Sequence, residues 1–298
     1  MNTNPENSPS RGLARLVPSI AASDGAGVKL RRSLGSTQNL RLDPFLMLDE
    51  FGTENPDDYI AGFPPHPHRG FETVTYMIDG RMQHRDHLGN VGDLGPGGVQ
   101  WMRAARGVIH SEMPQQDHGR MRGFQLWINL PAAEKMTPAG YRDIPPEQIP
   151  EVSLPGGGRL KLIAGSVTIG NQPIDGPING AAAKRSTDPL FLDFALPAAG
   201  EFTQTITRGH NAFLYVYEGA VTVRSAGGGQ ALPLQTVGVL DTQGDAVRLA
   251  AGPAGARLIL LAAKPIGEPI VQQGPFVMNT REEIETAIRD YQAGRLTA

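Results

Sequence analysis

The sequence predicts an all-β protein made of two antiparallel β-barrels of the jelly-roll type. Its 298 residues include 37 glycines and 25 prolines, and this turn-rich composition favours many short strands over long helices. The apolar segments are short and are separated by Gly and Pro, a pattern typical of small barrels and jelly rolls. The chain also exceeds a typical single domain, which predicts two domains of about 130 to 150 residues.

Composition excludes several other classes of protein. The formal net charge of −3 and the pI near 6.2 indicate no basic surface for nucleic acid. The chain contains no cysteine, so disulfides and thiolate metal sites are excluded. Residues 1–14 are polar and are expected to form a disordered tail rather than a secretory signal, and no apolar run approaches the roughly 18 residues that cross a bilayer. We therefore expect a cytoplasmic protein that binds neither membrane nor nucleic acid directly.

The first half of the chain predicts a series of short strands. Residues 45–51 predict a buried strand that ends in a turn at Gly52. Residues 73–78 lead into Asp79-Gly80, a strong hairpin signal that predicts a return strand over residues 81–88. Further strands are predicted over residues 99–102, 108–113 and 124–130. A proline-rich stretch around residues 138–158 marks the seam between a first domain, residues 15–140, and a second domain, residues 141–298.

The second half repeats the first. When Tyr76 to Gly80 is laid over Tyr215 to Gly219, the Arg-Gly pair at residues 69–70 falls on the same pair at residues 208–209. Residues 66 and 68, both His, then fall on threonines at 205 and 207. Thr packs well on a strand, so the second barrel is expected to persist without binding a metal ion.

The chain is predicted to end in a helix assigned to the second domain. Residues 257–263 form a strongly apolar strand, and beyond it Thr280 is a good N-cap with Glu283 three residues later, which is a capping box. Ile284, Ile288 and Tyr291 share one face, so the helix is expected to pack onto a barrel and to end near residue 294.

Two pairs of candidate metal ligands occur at strand spacing. Residues two apart on a strand project from the same face, so His66 pairs with His68 and His110 pairs with Glu112. If the two strands face each other, three imidazoles and one carboxylate converge, a set that suits Fe, Cu, Ni or Zn. His84 and His87 are interpreted as surface residues, with a position at the cavity mouth as the alternative for His84, and His118 and His210 are interpreted as solvated residues of polar loops.

Five segments together resemble the pirin family of the cupin superfamily. They are HPHRGFETVTY from residue 66, DPFLMLDEFG from 43, GDLGPGGVQWM from 92, RGVIHSEMP from 106 and GPFVMNTREEI from 274. The resemblance covers nearly the whole chain from about residue 15 and implies a bicupin with one non-haem metal in the first barrel. It implies His66, His68, His110 and Glu112 as the ligands, although many other cupins use a Glu at the position of Glu72. Glu72 is instead expected to form a hydrogen bond or a salt bridge, with Arg69 or Arg106.

The same resemblance implies an activity, quercetin 2,3-dioxygenase, in which a flavonol and O2 react with loss of carbon monoxide. Four protein ligands close a tetrahedral zinc site, whereas octahedral Fe(II), Mn(II) or Ni(II) keeps two free positions. We expect one divalent ion per chain, foremost Fe(II), with Ni, Mn, Cu, Co or Zn as alternatives. Glu112 is also the candidate base for the 3-hydroxyl of the substrate when it leaves the metal. The candidate cavity wall for a flat substrate consists of Phe51, Met77, Trp101 and Phe124. The alternative for Trp101 is a place in the core of the barrel.

A second function stays open at this stage. Pirin-like proteins are also described as regulators that bind a transcription-factor complex or a metabolic enzyme under control of the metal's redox state. A third interpretation is a sensor of a small ligand or metal. The sequence does not distinguish these from the enzyme, nor does it identify the natural substrate, the metal loaded in the cell or the oligomeric state.

Overall fold

The computed structural model describes residues 9–298, and these divide into two compact units. The N-terminal unit comprises Ile20–Pro146 and Ile266–Ala298, and the C-terminal unit comprises residues 9–19 and Glu147–Pro265. The predicted all-β class with antiparallel sheets is confirmed.

The strands of the described chain are numbered in order. Those in the first half are β1 (Leu13–Pro18), β2 (Ile20–Asp24), β3 (Val28–Arg32), β4 (Phe45–Thr53), β5 (Phe63–His68), β6 (Phe71–Asp79), β7 (Met82–Asp86), β8 (Val91–Leu94), β9 (Val99–Arg103), β10 (Val108–Pro114), β11 (Met121–Asn129) and β12 (Gly140–Ile144). Those in the second half are β13 (Glu151–Ser153), β14 (Arg159–Ala164), β15 (Ser166–Ile169), β16 (Gln172–Asp175), β17 (Leu190–Leu196), β18 (Glu201–Thr205), β19 (Asn211–Ser225), β20 (Gly228–Leu232), β21 (Thr236–Leu240), β22 (Ala246–Ala263), β23 (Val271–Gln273) and β24 (Phe276–Met278). The described helices are α1 (Ala132–Lys135) and α2 (Arg281–Gln292), with 3-10 turns at Pro56–Asp58 and Pro146–Gln148.

The N-terminal unit is built mainly from two large antiparallel sheets with its core between them, and β23 and β24 form a further two-stranded sheet. One sheet has the order β12-β9-β6-β11-β4-β3-β2, and the other has the order β5-β10-β7-β8. Phe51 and Met77 from the first sheet pack with Met82 and Leu94 from the second. The strands of the second sheet present their inner faces to this interior, and the candidate ligands lie on β5 and β10.

Helix α2 belongs to the N-terminal unit. Thr280 and Glu283 form the predicted capping box, and the helix buries Ile284 and Ala287 against Phe276 and Met278 of β24. Ile109 of β10 packs against the same cluster. The helix thus supports the strand that carries His110 from the side opposite to the imidazole. Tyr291, predicted on the packed face, is 41% exposed.

The C-terminal unit contains one large antiparallel sheet in its described part. Its order is β1-β21-β19-β22-β17-β14-β13, with β18 pairing with β22 and β20 with β19. Its core includes Leu162, Phe194, Leu214 and Leu258, none of which is exposed.

The internal repeat is visible in corresponding backbone features. Strands β5 and β6 match β18 and the start of β19 at the offset that the sequence predicts. The glycine that joins each pair has a positive φ, +95° at Gly70 and +83° at Gly209. The second glycine of each repeat also has a positive φ, +86° at Gly80 and +71° at Gly219.

The division of the chain differs from the sequence-based one, which placed the boundary after residue 140. The structure places residues 15–19 with the C-terminal unit, because β1 pairs with β21. It places α2 with the N-terminal unit, because the helix buries its apolar face on β24. The predicted disordered tail, residues 1–14, falls mostly outside the description, which begins at residue 9, but residues 13–14 lie in β1.

Asp79-Gly80 does not close the predicted hairpin. Strand β6 pairs with β9 and β11, whereas β7 pairs with β8 and β10. The turn therefore passes from one sheet of the N-terminal unit to the other. An Asp-Gly dipeptide predicts a tight turn but not which strands pair on either side of it. The sequence therefore could not show that β6 and β7 lie in different sheets.

Candidate metal centre

Strand β5 carries the first two histidines at a sheet edge. Its sequence, Phe-Pro-Pro-His-Pro-His, contains three prolines, which lack the N–H that a central strand needs. The strand tolerates them because it pairs only with β10. Alternation along the strand turns Pro67 away from the face that carries His66 and His68.

Strand β10 brings the third histidine opposite the first. In the antiparallel register His110 is the partner of His66, and cross-strand partners place their side chains on one face. The ring centroids lie 4.3 Å apart for His66 and His110, 5.0 Å for His68 and His110, and 4.7 Å for His66 and His68. One ring nitrogen from each of the three lies within 4.8 Å of the others. Within residues 9–298 this is the one group of three or more such potential ligands.

The protonation of these rings suits a metal ion. Burial, reinforced by the neighbouring imidazoles, lowers the pKa of His68 and His110 well below the usual value, which keeps both neutral. His68 Nδ1 and His110 Nε2 are buried and have no hydrogen-bond partner within residues 9–298. His66 Nδ1 donates to the Pro64 carbonyl at 2.8 Å, which leaves its Nε2 lone pair free. Buried nitrogens without partners are costly unless something binds them, and neutral imidazole is a common metal ligand.

Glu112 lies on β10 beside the histidines but is not part of their compact group. Its carboxylate is buried, and it lines the same cavity as His66 and His68. The Thr75 hydroxyl lies 2.8 Å from Glu112 Oε1 and 2.6 Å from Gln125 Oε1, two acceptors that share its one proton, and the Gln125 amide donates to Glu112 Oε2 at 3.4 Å. These bonds leave further lone pairs on the carboxylate, so its role as a ligand stays a prediction.

Glu72 has a different environment. It is buried, and Trp101 Nε1 donates to Glu72 Oε2 at 3.0 Å. The expected hydrogen bond is therefore present, with Trp101 as the partner. Arg69, one of the partners considered, instead bonds to Asp290 at 2.9 Å and to the Leu296 carbonyl at 3.0 Å.

Sequence reasoning missed two polar residues on β7. His84 is only 2% exposed, so its interpretation as a surface residue is wrong. In the register of β7 against β10, Asp86 is the partner of His110 and His84 is the partner of Glu112. Alternation places His84 and Asp86 on one face of β7, but only knowledge that β7 pairs with β10 would have connected them with the site.

A cavity of about 710 Å³ adjoins His66, His68 and Glu112. This volume falls in the range of about 300–1,000 Å³ typical of small-molecule sites. Phe51 lines it as predicted, whereas Met77, Trp101 and Phe124 do not, being buried in the core. The remaining apolar lining is supplied by Leu30, Leu46, Met47, Phe63, Pro64, Pro65, Trp127 and Pro275.

The same cavity has a polar wall. Arg32 binds Asp49 through two bonds, Nε to Oδ1 at 2.8 Å and Nη2 to Oδ2 at 2.7 Å. Burial raises the pKa of Asp49 to about 6 although the Arg32 bonds act in the opposite direction. The cavity therefore combines an apolar surface with ionisable and hydrogen-bonding groups.

Comparison with protein-family models matches residues 27–128 to Pirin and residues 191–297 to the Pirin C-terminal cupin domain. The chain belongs to the pirin family. A relative from Pseudomonas aeruginosa, which carries the provisional name quercetin 2,3-dioxygenase, is 55% identical over 96% of this chain and 98% of its own. A pirin-like protein from Caulobacter vibrioides is 49% identical over 96% and 99%.

Solved structures agree with the fold. The crystal structure of a quercetin 2,3-dioxygenase from Acinetobacter baumannii has a TM-score of 0.85 at 33% identity, covering 97% of this pirin and 99% of that chain. No helix within residues 9–298 is long and apolar enough to cross a membrane, and the cytoplasmic location stays a prediction.

The C-terminal unit of this pirin carries the threonines that the repeat predicted in place of the first two histidines. Thr205 and Thr207 line a smaller cavity of about 300 Å³. His210 lies in the same cavity, with its Nε2 3.6 Å from Asp188 Oδ2. His210 was interpreted as a solvated loop residue, but it is 7% exposed.

Proposed function

We propose that this pirin holds one divalent transition metal in its N-terminal unit on His66, His68, His110 and Glu112, with Fe(II) as the foremost candidate. The donor set fits such an ion because it combines neutral imidazoles with one carboxylate and contains no thiolate. The two buried ring nitrogens that have no hydrogen-bond partner in the described part of the chain support the proposal independently of the family.

We propose that the reaction is the O2-dependent opening of a flavonol such as quercetin. A bound metal of this kind would supply Lewis-acid polarisation of substrate oxygens. The chain's own residues perform the other tasks. Phe51 and Trp127 would hold the flat rings. Glu112, when released from the ion, would accept the proton of the substrate hydroxyl, with Thr75 and Gln125 holding its carboxylate in place.

The single observation that carries this proposal is the position of the histidine group. It adjoins a cavity large enough for a small ligand and apolar enough for an aromatic one. A purely structural metal would need no such cavity. The names of the Pseudomonas and Acinetobacter proteins support the flavonol as the substrate class.

The test is O2 consumption and carbon monoxide release with quercetin after anaerobic loading with Fe(II). We expect turnover in the wild type and its loss in His66→Ala and Glu112→Ala. His118→Ala is the matched control, because the His118 side chain is 91% exposed and lies in the loop beyond the end of β10. If the wild type binds metal but turns over no flavonol with any of the candidate ions, the dioxygenase proposal fails and the regulator becomes the better hypothesis.

A further inference from the structure

A chain of hydrogen bonds runs from His110 to a carboxylate on β7. His110 Nδ1 lies 3.3 Å from His84 Nδ1, and His84 Nε2 lies 3.3 Å from Asp86 Oδ2. The His84 ring is held by Tyr141, which stacks on it at a centroid distance of 4.1 Å and an angle of 18°. Both His84 and the Asp86 side chain are almost completely buried.

The partners of Asp86 show which atom faces which donor. Oδ1 accepts from the backbone N–H groups of Leu88 at 2.9 Å and Asn90 at 3.0 Å. Oδ2 accepts from the Asn90 side-chain amide at 2.8 Å and faces His84. An ionised carboxylate only accepts hydrogen bonds, so His84 Nε2 must carry a proton.

The position of the proton on His84 determines which nitrogen of His110 is protonated. If that proton is the only one on the ring, His84 Nδ1 has a lone pair. His110 must then donate from its own Nδ1, because two lone pairs cannot face each other at 3.3 Å. The lone pair of His110 is consequently on Nε2, the buried atom that has no partner within residues 9–298.

We propose that Asp86 and His84 form a relay that fixes the tautomer of His110 and so directs its Nε2 lone pair to the metal. The relay gives positioning roles to two residues that bind neither metal nor substrate. Outer partners of this kind orient a ligating imidazole and increase its basicity. The inference rests on the metal centre of the proposed function and not on the identity of the substrate.

The Asp86→Asn variant provides a sharp test because its amide orientation is dictated by the backbone. Two N–H groups point at the Oδ1 position, so the amide oxygen must occupy it and the NH2 group must face His84. His84 Nε2 then becomes an acceptor and its proton moves to Nδ1. His110 is forced to accept at Nδ1 and to carry its proton on Nε2, the wrong atom for binding the ion.

Long-range 1H–15N NMR spectra of the metal-free protein report these tautomers directly. The chain has only seven histidines, so single substitutions suffice to assign the signals. We expect His84 as the Nε2–H form and His110 as the Nδ1–H form in the wild type, and both reversed in Asp86→Asn. Asp93→Asn, an exposed Asp on the neighbouring strand β8, is the matched control and should leave both tautomers unchanged.

Affinity for Zn(II), measured by competition with a chromophoric chelator, gives the second readout. We expect Asp86→Asn to bind Zn(II) about 10- to 100-fold more weakly than the wild type. The pair His84→Asn and His84→Leu has nearly equal size, and only Asn keeps an acceptor close to the Nδ1 position. Asn should therefore retain most of the affinity, whereas Leu should lose it to the same extent as Asp86→Asn.

The outcomes separate this inference from the proposed function. A wild-type chain that binds no Zn(II) and no Fe(II) would overturn both. Binding in the wild type together with equal affinity in Asp86→Asn, equal affinity of the two His84 variants, or an Nε2–H form of His110 in the wild type would overturn the relay alone. Circular dichroism of each metal-free variant establishes that the comparison is made between folded chains.

Discussion

Lys135 offers a quantitative test of how the N-terminal unit fixes the backbone beside the metal site. Its ammonium is 1% exposed and donates to the Gly70 carbonyl at 2.7 Å, to Asn129 Oδ1 at 2.6 Å and to the Val277 carbonyl at 3.0 Å. Gly70 lies two residues after His68. Lys135→Met keeps the length of the side chain but removes all three bonds.

The expected loss follows from two opposing contributions. Each buried acceptor left without a donor costs about 1–3 kcal/mol, so three cost about 6 kcal/mol at the centre of that range. Burial lowers the pKa of Lys135 from 10.5 to about 8. At about 1.4 kcal/mol per pH unit, the buried ammonium therefore costs about 3 kcal/mol at pH 7, and Lys135→Met removes this cost. We therefore expect Lys135→Met to reduce the free energy of unfolding by about 3 kcal/mol at pH 7.

The pH dependence gives the sign of the effect. Between pH 8 and the unfolded value of 10.5, the unfolded chain holds a proton that the folded chain has released. Stability of the wild type therefore rises with pH in this window, by up to about 3 kcal/mol at about 1.4 kcal/mol per unit. The Met variant lacks this contribution, so the difference between the two proteins should widen from pH 8 to pH 10.

Urea unfolding at pH 7, 8, 9 and 10 measures that difference. Lys29→Met is the control, because Lys29 is exposed on β3 of the same unit. A difference between wild type and Lys135→Met that stays constant over this range would refute the assignment of a lowered pKa, and a loss below about 1 kcal/mol would refute the role of the three bonds.

Three further predictions concern the metal and the repeat. Adding Fe(II) or Zn(II) anaerobically at 100 times its Kd should stabilise the metal-free protein by about 2.7 kcal/mol, seen as a rise in Tm that a chelator reverses; no rise would contradict the site. Gly70→Ala should destabilise by about 1–3 kcal/mol more than Gly209→Ala, since an added Cβ overlaps the Val277 carbonyl at the first site and meets nothing within 4 Å at the second. Equal Tm values for the two would contradict this. Thr75→Val, which removes the hydroxyl beside Glu112 Oε1, should lower kcat about 10-fold in the flavonol assay, and an unchanged kcat would exclude that positioning role.

Local patterns sufficed for much of the fold and for two pairs of candidate ligands. Alternation along a strand placed His66 with His68 and His110 with Glu112, whereas the convergence of the two pairs was a condition that the pairing of β5 with β10 fulfils. The capping box at Thr280 was readable because both partners lie within one helical turn. Each of these features depends on residues close in sequence or on a simple period.

The features that were missed depend on pairing between distant segments. His84 joins the site only because β7 is the second neighbour of β10, and Trp127 reaches the cavity from β11. The assignment of α2 to the N-terminal unit likewise depends on its contact with β24, beyond the second half of the repeat. Local sequence preferences do not determine which distant strands become neighbours, so these contacts could not be predicted from the sequence.

The binding of a single ion by three imidazoles of the N-terminal unit is open to a direct measurement. Elemental analysis compares the untreated wild type with His110→Leu, and circular dichroism confirms that the variant is folded. We expect close to one transition-metal ion per chain in the wild type and close to none in the variant. A metal-free wild type that also takes up no added ion, or an undiminished metal content in His110→Leu, would contradict it.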